Sequence, residues 1–167
     1  MRASVFPVIK EIESVSRIRQ SARIIRDSYK TVADEFGLTR ENCPTYPSFI
    51  RSPELVKLKD EGLRYFGLFM GKEQVGFIAI EKGPDGSYFL AFLAVLFEHR
   101  HRGFGGGLVK FALDFTRANH GNMVTLRMMD EQRVLKDWYQ QIGFKIKRVN
   151  NYMHIPFTVC LMEREVR

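Results

Sequence analysis

Apolar positions change their period several times along the chain, and each change marks an element. Val5 to Ile9 alternates as a strand does. Val15, Ile18, Ala22, Ile25, Tyr29, Val32 and Phe36 then step by three and four, which predicts one long helix stopped by Gly37. Leu38 to Pro53 has no period and holds three of the six prolines, so it predicts an ordered loop of the kind that contacts substrates. A short helix over Glu54 to Asp60 follows. Leu63 to Met70 and Gln74 to Glu81 flank a turn at Gly71-Lys72 and predict a hairpin. Gly83-Pro84-Asp85-Gly86 turns the chain into Phe89 to Phe97, an unbroken apolar run that predicts a buried strand. Apolar residues at 108, 112 and 115 return with helical spacing. Met123 to Met129 predicts a further strand, and Val134, Leu135, Trp138 and Ile142 a helix closed by Gly143-Phe144. Lys145 to Val149 and Phe157 to Met162 complete the chain as a last pair of strands.

The 167 residues read most simply as one domain, 1–167, which would bury roughly two thirds of its surface on folding. No segment approaches the ~20 apolar residues of a membrane span, and the first fifteen residues mix charged with apolar groups. A cytoplasmic protein without a membrane partner is expected. Cys43 and Cys160 lack metal-ligand spacing and read as free thiols, with no metal site. Lys and Arg number 26 against 19 Asp and Glu, a net charge of +7 that suits an acidic partner: nucleic acid, a membrane surface or a polyphosphate. Arg19, Arg23, Arg26 and Lys30 share one helix face, as a phosphate-tracking stripe would. No aromatics interleave with them, so the stripe reads as a solvated face and nucleic acid is not the expected partner. The positive charge also weighs against a strongly cationic substrate, unless acidic residues cluster at its entrance.

The densest chemistry lies between Tyr88 and Arg117. An apolar strand, a basic turn at Glu98-His99-Arg100-His101-Arg102, a run Gly103-Phe104-Gly105-Gly106-Gly107 and a helix follow one another. Such a junction aims unpaired backbone N–H groups and the positive end of a helix dipole at one spot, and glycines let backbone close around phosphate oxygens. Arg100 and Arg102 would add charge at the rim. Two common phosphate motifs are excluded. Gly107 is followed by Leu108-Val109 and not by the Lys-Ser/Thr of a nucleotide-hydrolysing loop, and no βαβ unit precedes a dinucleotide fingerprint.

Arg100-x-x-Gly103-x-Gly105, preceded by Leu93-Ala94-Val95 and followed by Leu108-Val109, resembles the acyl-CoA signature of the GNAT superfamily of N-acetyltransferases. A second register, Arg102-x-x-Gly105-x-Gly107, also matches the bare pattern. The first is preferred because it puts Phe104, and not Gly106, where the family carries an apolar residue. The segment from Asp130 to Phe144 is similar to a second stretch of that family, with Trp138-Tyr139 as its aromatic-Tyr pair and Gly143-Phe144 closing it. Gln132 stands where the family carries an Asn that bonds the cofactor. The resemblance covers Leu63 to Phe144 and implies an α+β fold: a mixed, mostly antiparallel sheet with helices on both faces and a splayed central strand pair. It implies further that pantetheine bonds backbone around Ala94 and Val95 and that pyrophosphate rests on the amides of His101, Arg102, Gly103, Phe104, Gly105 and Gly106.

What the resemblance implies about activity is transfer of acetyl from acetyl-CoA, as co-substrate, to a primary amine of a small molecule or peptide. Direct attack would be aided by a backbone N–H near Val95, with Tyr139 as general acid for the leaving thiolate. The alternative is a non-catalytic domain of the same fold that binds CoA or another acidic ligand, which would have no need of a phenol near the thiolate. Where the histone-modifying branch carries a catalytic Glu, five residues before Ala94, this chain has Phe89. Glu81, Asp130 and Glu131 are the remaining carboxylates near the expected cleft, and no single essential base is expected. The acceptor itself is not written in the sequence, and a homodimer is left open.

Overall fold

The structure, a computed structural model, describes residues 4–167. Seven strands form one sheet in the order β1-β2-β3-β4-β5-β7-β6. These are β1 (Pro7–Ile12), β2 (Arg64–Met70), β3 (Glu73–Lys82), β4 (Ser87–Val95), β5 (Met123–Met129), β6 (Lys145–Asn151) and β7 (Thr158–Glu165). Every pairing is antiparallel except that of β4 with β5. Helices α1 (Val15–Glu35) and α2 (Ser52–Asp60) cover one face, α3 (Phe104–Ala118) and α4 (Arg133–Gln141) the other. The α+β architecture expected from the sequence is therefore the one observed.

Burial explains the two layers. The stripe of α1 buries Ile18, Ala22 and Ile25 in a cluster with Phe77, Ala79 and Ala94, one face of the sheet. Leu108, Val109 and Ala112 of α3 join Val75, Ile78 and Leu126 on the opposite face. At about 25 cal/mol per Å² of apolar surface, each fully buried Ile or Leu contributes roughly 1.5–3 kcal/mol, enough to fix which side each helix takes. Ser14 starts α1 by accepting a bond from the Arg17 amide at 3.3 Å, and Gly37, at φ 65°, ends it in left-handed backbone. Arg23 and Lys30 pair with Asp27 and Asp34 one turn on, as a solvated face does.

Several boundaries differ from expectation. The first strand is Pro7–Ile12 rather than Val5 to Ile9, because pairing with β2, from Pro7 opposite Met70 to Ile12 opposite Tyr65, decides the ends of an edge strand. The α2 helix takes in Ser52 and Pro53, since proline loses nothing in a first turn. The strand expected over Phe89 to Phe97 is Ser87–Val95. Phe97 opens a single turn of 3-10 helix and is 69% exposed. Within β4 only Tyr88, Leu90 and Ala94 are buried; the other apolar side chains there border open space.

That open space comes from a splay between the two central strands. The β4–β5 ladder pairs Ser87 to Leu90 with Met123 to Leu126 and stops, although β4 continues to Val95 and β5 to Met129. On the other side of β4, Phe77 pairs with Ala94 and Ala79 with Ala91, so Phe92 and Leu93 together oppose Ile78. This is a β-bulge, and Phe92 sits in it at φ 54°. Left-handed backbone in an aromatic residue costs on the order of 1–3 kcal/mol, which the flanking ladder has to hold in place.

Candidate active site

After the 3-10 turn that follows β4, the chain turns through His101 at φ 62° and Gly103 at φ 79°, and α3 begins at Phe104. The glycine run expected as a loop is thus the first turn of the helix. Phe104, 8% exposed, anchors it in the core, and the Gly107 amide donates to the Gly103 carbonyl at 2.9 Å. The amides of Phe104, Gly105 and Gly106 precede any i−4 carbonyl of the helix and are left facing outward at its positive end. A Cβ on Gly103 or Gly106 would meet nothing within 4 Å, so the space before the turn is empty of protein. At Gly105 a Cβ would lie 3.6 Å from the Trp138 ring, where α3 and α4 come together.

A cavity of about 480 Å³ opens in front of this turn. Ala94, Val95, Arg100, His101, Gly103, Phe104, Gly105, Gly106, Gln132 and Tyr139 all line it, although they come from β4, the turn, α3 and the start and body of α4. Of the cofactor-binding and general-acid residues expected from the sequence, Arg102 alone is absent from that lining, and it is exposed to solvent. Arg100 does line the cavity, but its guanidinium is committed elsewhere. Nε donates to the Val95 carbonyl at 3.2 Å and Nη2 to the Ser28 carbonyl at 2.8 Å, while the group lies over the Phe97 ring. It ties the end of β4 to α1, so the rim charge expected from Arg100 is spent on bracing.

A second cavity of about 540 Å³ lies beyond the splay. Its walls are Phe89 to Leu93 of β4, Leu126 to Met129 of β5, the loop around Cys43 to Pro47, and the loop between β6 and β7 from Tyr152 to Phe157. Tyr29, Tyr46, Leu93, Gln132, Leu135 and Tyr139 border both cavities, which therefore meet at one place. Tyr139 is 5% exposed and stands edge-on to Phe144 with ring centroids 5.5 Å apart. Burial pushes its phenol well above the ordinary value, so it stays protonated through neutral pH. Tyr29 is raised too, first by burial and then by the neighbouring phenols of Tyr139 and Tyr46.

Residues 26–144 match the model of the Acetyltransferase (GNAT) family. The chain belongs to that family. No curated protein sequence matches it. Among solved structures, the ribosomal-protein-S18-alanine N-acetyltransferase of Escherichia coli superposes with a TM-score of 0.77 at 12% identity, over 96% of this chain and 94% of that one. Ard1 of Thermoplasma volcanium gives 0.74 at 20% identity, over 96% and 98%. The PaiA N-acetyltransferase of Thermoplasma acidophilum, in complex with coenzyme A, gives 0.71 at 18% identity, over 96% and 99%. At these identities the likeness is one of fold.

Among the described residues of this GNAT chain no carboxylate lines either cavity. Asp130 is held by Lys136 at 2.6 Å. Burial acts to raise the Glu131 carboxyl, but bonds from the Thr158 amide at 2.9 and 3.2 Å leave it below its usual range. Glu81 lies on β3, opposite Phe89 and on the side away from the splay. The site also contains residues that periodicity alone did not flag. Ser28, His99 and Tyr46 line the first cavity, and the Ser28 hydroxyl and His99 Nδ1 are buried without a partner. Tyr29 follows the apolar period of the α1 face, and the signal that sets it apart is a phenol among aliphatic neighbours. Among the described residues no helix is long and apolar enough to cross a membrane.

Proposed function

We propose that this protein is an acetyl-CoA-dependent N-acetyltransferase that moves acetyl to a primary amine of a small molecule or peptide by direct attack. One observation carries the reading. Two cavities meet at Tyr139 across a gap between strands, and one of them is faced by the free amides of a helix start. The first cavity suits a long thiol ester with a phosphorylated end: pyrophosphate on the amides of Phe104 to Gly106, and a pantetheine arm along the unpaired edge of β4 at Ala94 and Val95. The Thermoplasma acidophilum neighbour, in complex with coenzyme A, supports that choice of donor.

The chemistry follows from what meets at the junction. An amine entering from the second cavity attacks the thioester carbonyl carbon, and the carbonyl oxygen gains charge beside the backbone N–H near Val95. As the C–S bond breaks, Tyr139 gives its proton to the departing thiolate and is reprotonated from solvent. The nitrogen loses its extra proton to water. Arg100, bonded to Val95 and Ser28, positions the strand end that presents the N–H. The apolar walls at Leu93, Leu135 and Trp138 exclude water that would hydrolyse the thioester.

Two measurements test this. Acetyl-CoA should raise the melting temperature of the wild type, by the equivalent of about 2.7 kcal/mol at a hundredfold excess over its Kd. Gly103→Asp, which sets a carboxylate where pyrophosphate would lie, should shift little. A panel of amines and peptides should then release CoA thiol. Equal thermal shifts in both proteins would overturn the donor assignment, and binding without thiol release from any acceptor would leave a non-catalytic CoA-binding domain.

A further inference from the structure

The second cavity is rich in aromatic side chains, and among the described residues no carboxylate lines it. Tyr46, from the proline-rich loop, meets Phe157, from the β6–β7 loop, edge-on with centroids 6.1 Å apart, and Tyr29 meets Tyr46 at 5.8 Å. These contacts join the two loops at the cavity wall, and an acceptor the size of a small molecule fits beside them without parting them. On the far wall Arg127, exposed on β5, holds its guanidinium 5.7 Å from the centroid of Phe89, without a carboxylate within ion-pair distance among the described residues. Phe89 precedes Leu93, at the junction of the cavities, by four residues. At about 3.3 Å per strand residue that is roughly 13 Å, somewhat less across the bulge at Phe92.

We infer that the acceptor is a small molecule with an aromatic body, an amine at one end and an acidic group remote from it, held by Arg127. The inference rests on the acetyltransferase reading above and specifies its acceptor. An aromatic body matches the walls of Phe89, Phe92, Tyr46 and Phe157. A carboxylate answers the one arginine, which a planar acid can engage with two parallel bonds. The spacing excludes an acid adjacent to the amine, as in an α-amino acid. The lack of any lining carboxylate excludes a polycation, whose charges would be desolvated without a partner.

The test compares four acceptors by CoA-thiol release with acetyl-CoA as donor. They are 4-(4-aminophenyl)butanoate, 4-butylaniline with the same ring and reach but no acid, L-phenylalanine, and spermidine. The arylbutanoate should exceed 4-butylaniline in kcat/KM by about tenfold or more, the low end for a bond to a charged group. L-phenylalanine and spermidine should be the poorest. Arg127→Gln should bring the ratio of the matched pair near one, and Arg127→Lys should restore part of it. A ratio near one in the wild type, a ratio that survives Arg127→Gln, or a preference for spermidine or L-phenylalanine would each overturn the inference. Should acetyl-CoA raise the melting temperature while only peptides or cationic amines turn over, this acceptor class falls and the acetyltransferase reading stands. Should acetyl-CoA neither bind nor release thiol with any acceptor, the acetyltransferase reading itself falls.

Discussion

Replacing Tyr139 by Phe separates the chemistry from the fold. The ring is 5% exposed and makes its contacts through carbon, with Trp138 at a centroid distance of 5.0 Å and with Phe144 at 5.5 Å. Both survive in phenylalanine. Burial is the sole cause of the raised phenol, and among the described residues no side chain or carbonyl is bonded to the hydroxyl, so its removal strands no partner there. Stability should therefore change by less than about 1 kcal/mol. If the hydroxyl supplies the proton that lets the thiolate leave, kcat should fall by about 10² to 10⁴, or roughly 2.7–5.4 kcal/mol of barrier. The KM for acetyl-CoA and the thermal shift it produces should stay near wild type, because the loss is confined to the transition state. The assay is thiol release at saturating concentrations of both substrates, beside a melt with and without acetyl-CoA. A Tyr139→Phe enzyme as fast as wild type would refute the argument and return the residue to the core. A raised KM at unchanged kcat would make Tyr139 a wall of the binding site.

Arg100→Ala should cost about 1–3 kcal/mol in urea unfolding, since it removes the donor to the Val95 carbonyl and the tie from β4 to the Ser28 carbonyl of α1; an unchanged midpoint would show that the brace is idle. Glu81→Gln and Asp130→Asn should each lower kcat/KM only modestly, and the profile should rise with pH toward the pKa of the acceptor amine. A limb near pH 6 to 7 that vanishes in one of these variants would reveal a dedicated base. Tyr46, Tyr65 and Tyr139 are all pushed upward, first of all by burial. Above pH 10 the unfolded chain releases protons that the folded one keeps, so stability should fall with rising pH there, at up to about 1.4 kcal/mol per unit for each phenol. Melting temperatures between pH 9 and 11 measure this, and a flat profile would show that the phenols ionise freely in the folded protein.

Most of the fold was legible because the burial period is local. The α1 stripe, the β2–β3 hairpin and β5 could each be read from a few consecutive residues, since one face of each goes to the core. Phe89 to Phe97 misled for the converse reason. Its unbroken apolar run predicts a buried strand, yet seven of these nine residues line one cavity or the other, and hydrophobicity alone does not separate a core wall from a pocket wall. The bulge at Phe92 depends on how β3 and β4 register, a long-range matter without a glycine or proline to announce it. The first turn of α3 was read too late because glycines at 105 to 107 are poor helix formers, whereas Phe104, by anchoring in the core, starts the helix for them. Arg100 looked like a phosphate ligand from its spacing. Its partner, the Ser28 carbonyl, lies 72 residues away in sequence and leaves no local trace.

The lack of a lining carboxylate among the described residues connects the two ends of the site. An alkylammonium with pKa near 10.4 must lose its proton before attack, and at pH 7 that costs about 4.6 kcal/mol. A carboxylate in the cleft would share that cost by taking the proton as the nitrogen attacks, but neither cavity offers one. An α-amine with pKa near 7.8 faces only about 1 kcal/mol, and an arylamine, neutral at pH 7, faces none. The same lack of negative charge that makes the second cavity hostile to cations thus favours the amines that need no base. With Phe89 in place of a carboxylate, β4 gives up proton abstraction and gains a ring on which Arg127 rests. Acceptor choice and proton transfer are set by one feature of the cleft, so placing a carboxylate there, as in Phe89→Glu, should change both together: the preference for the arylbutanoate should fall while turnover of alkylamines rises. An effect on only one of the two would show that the wall and the base are independent.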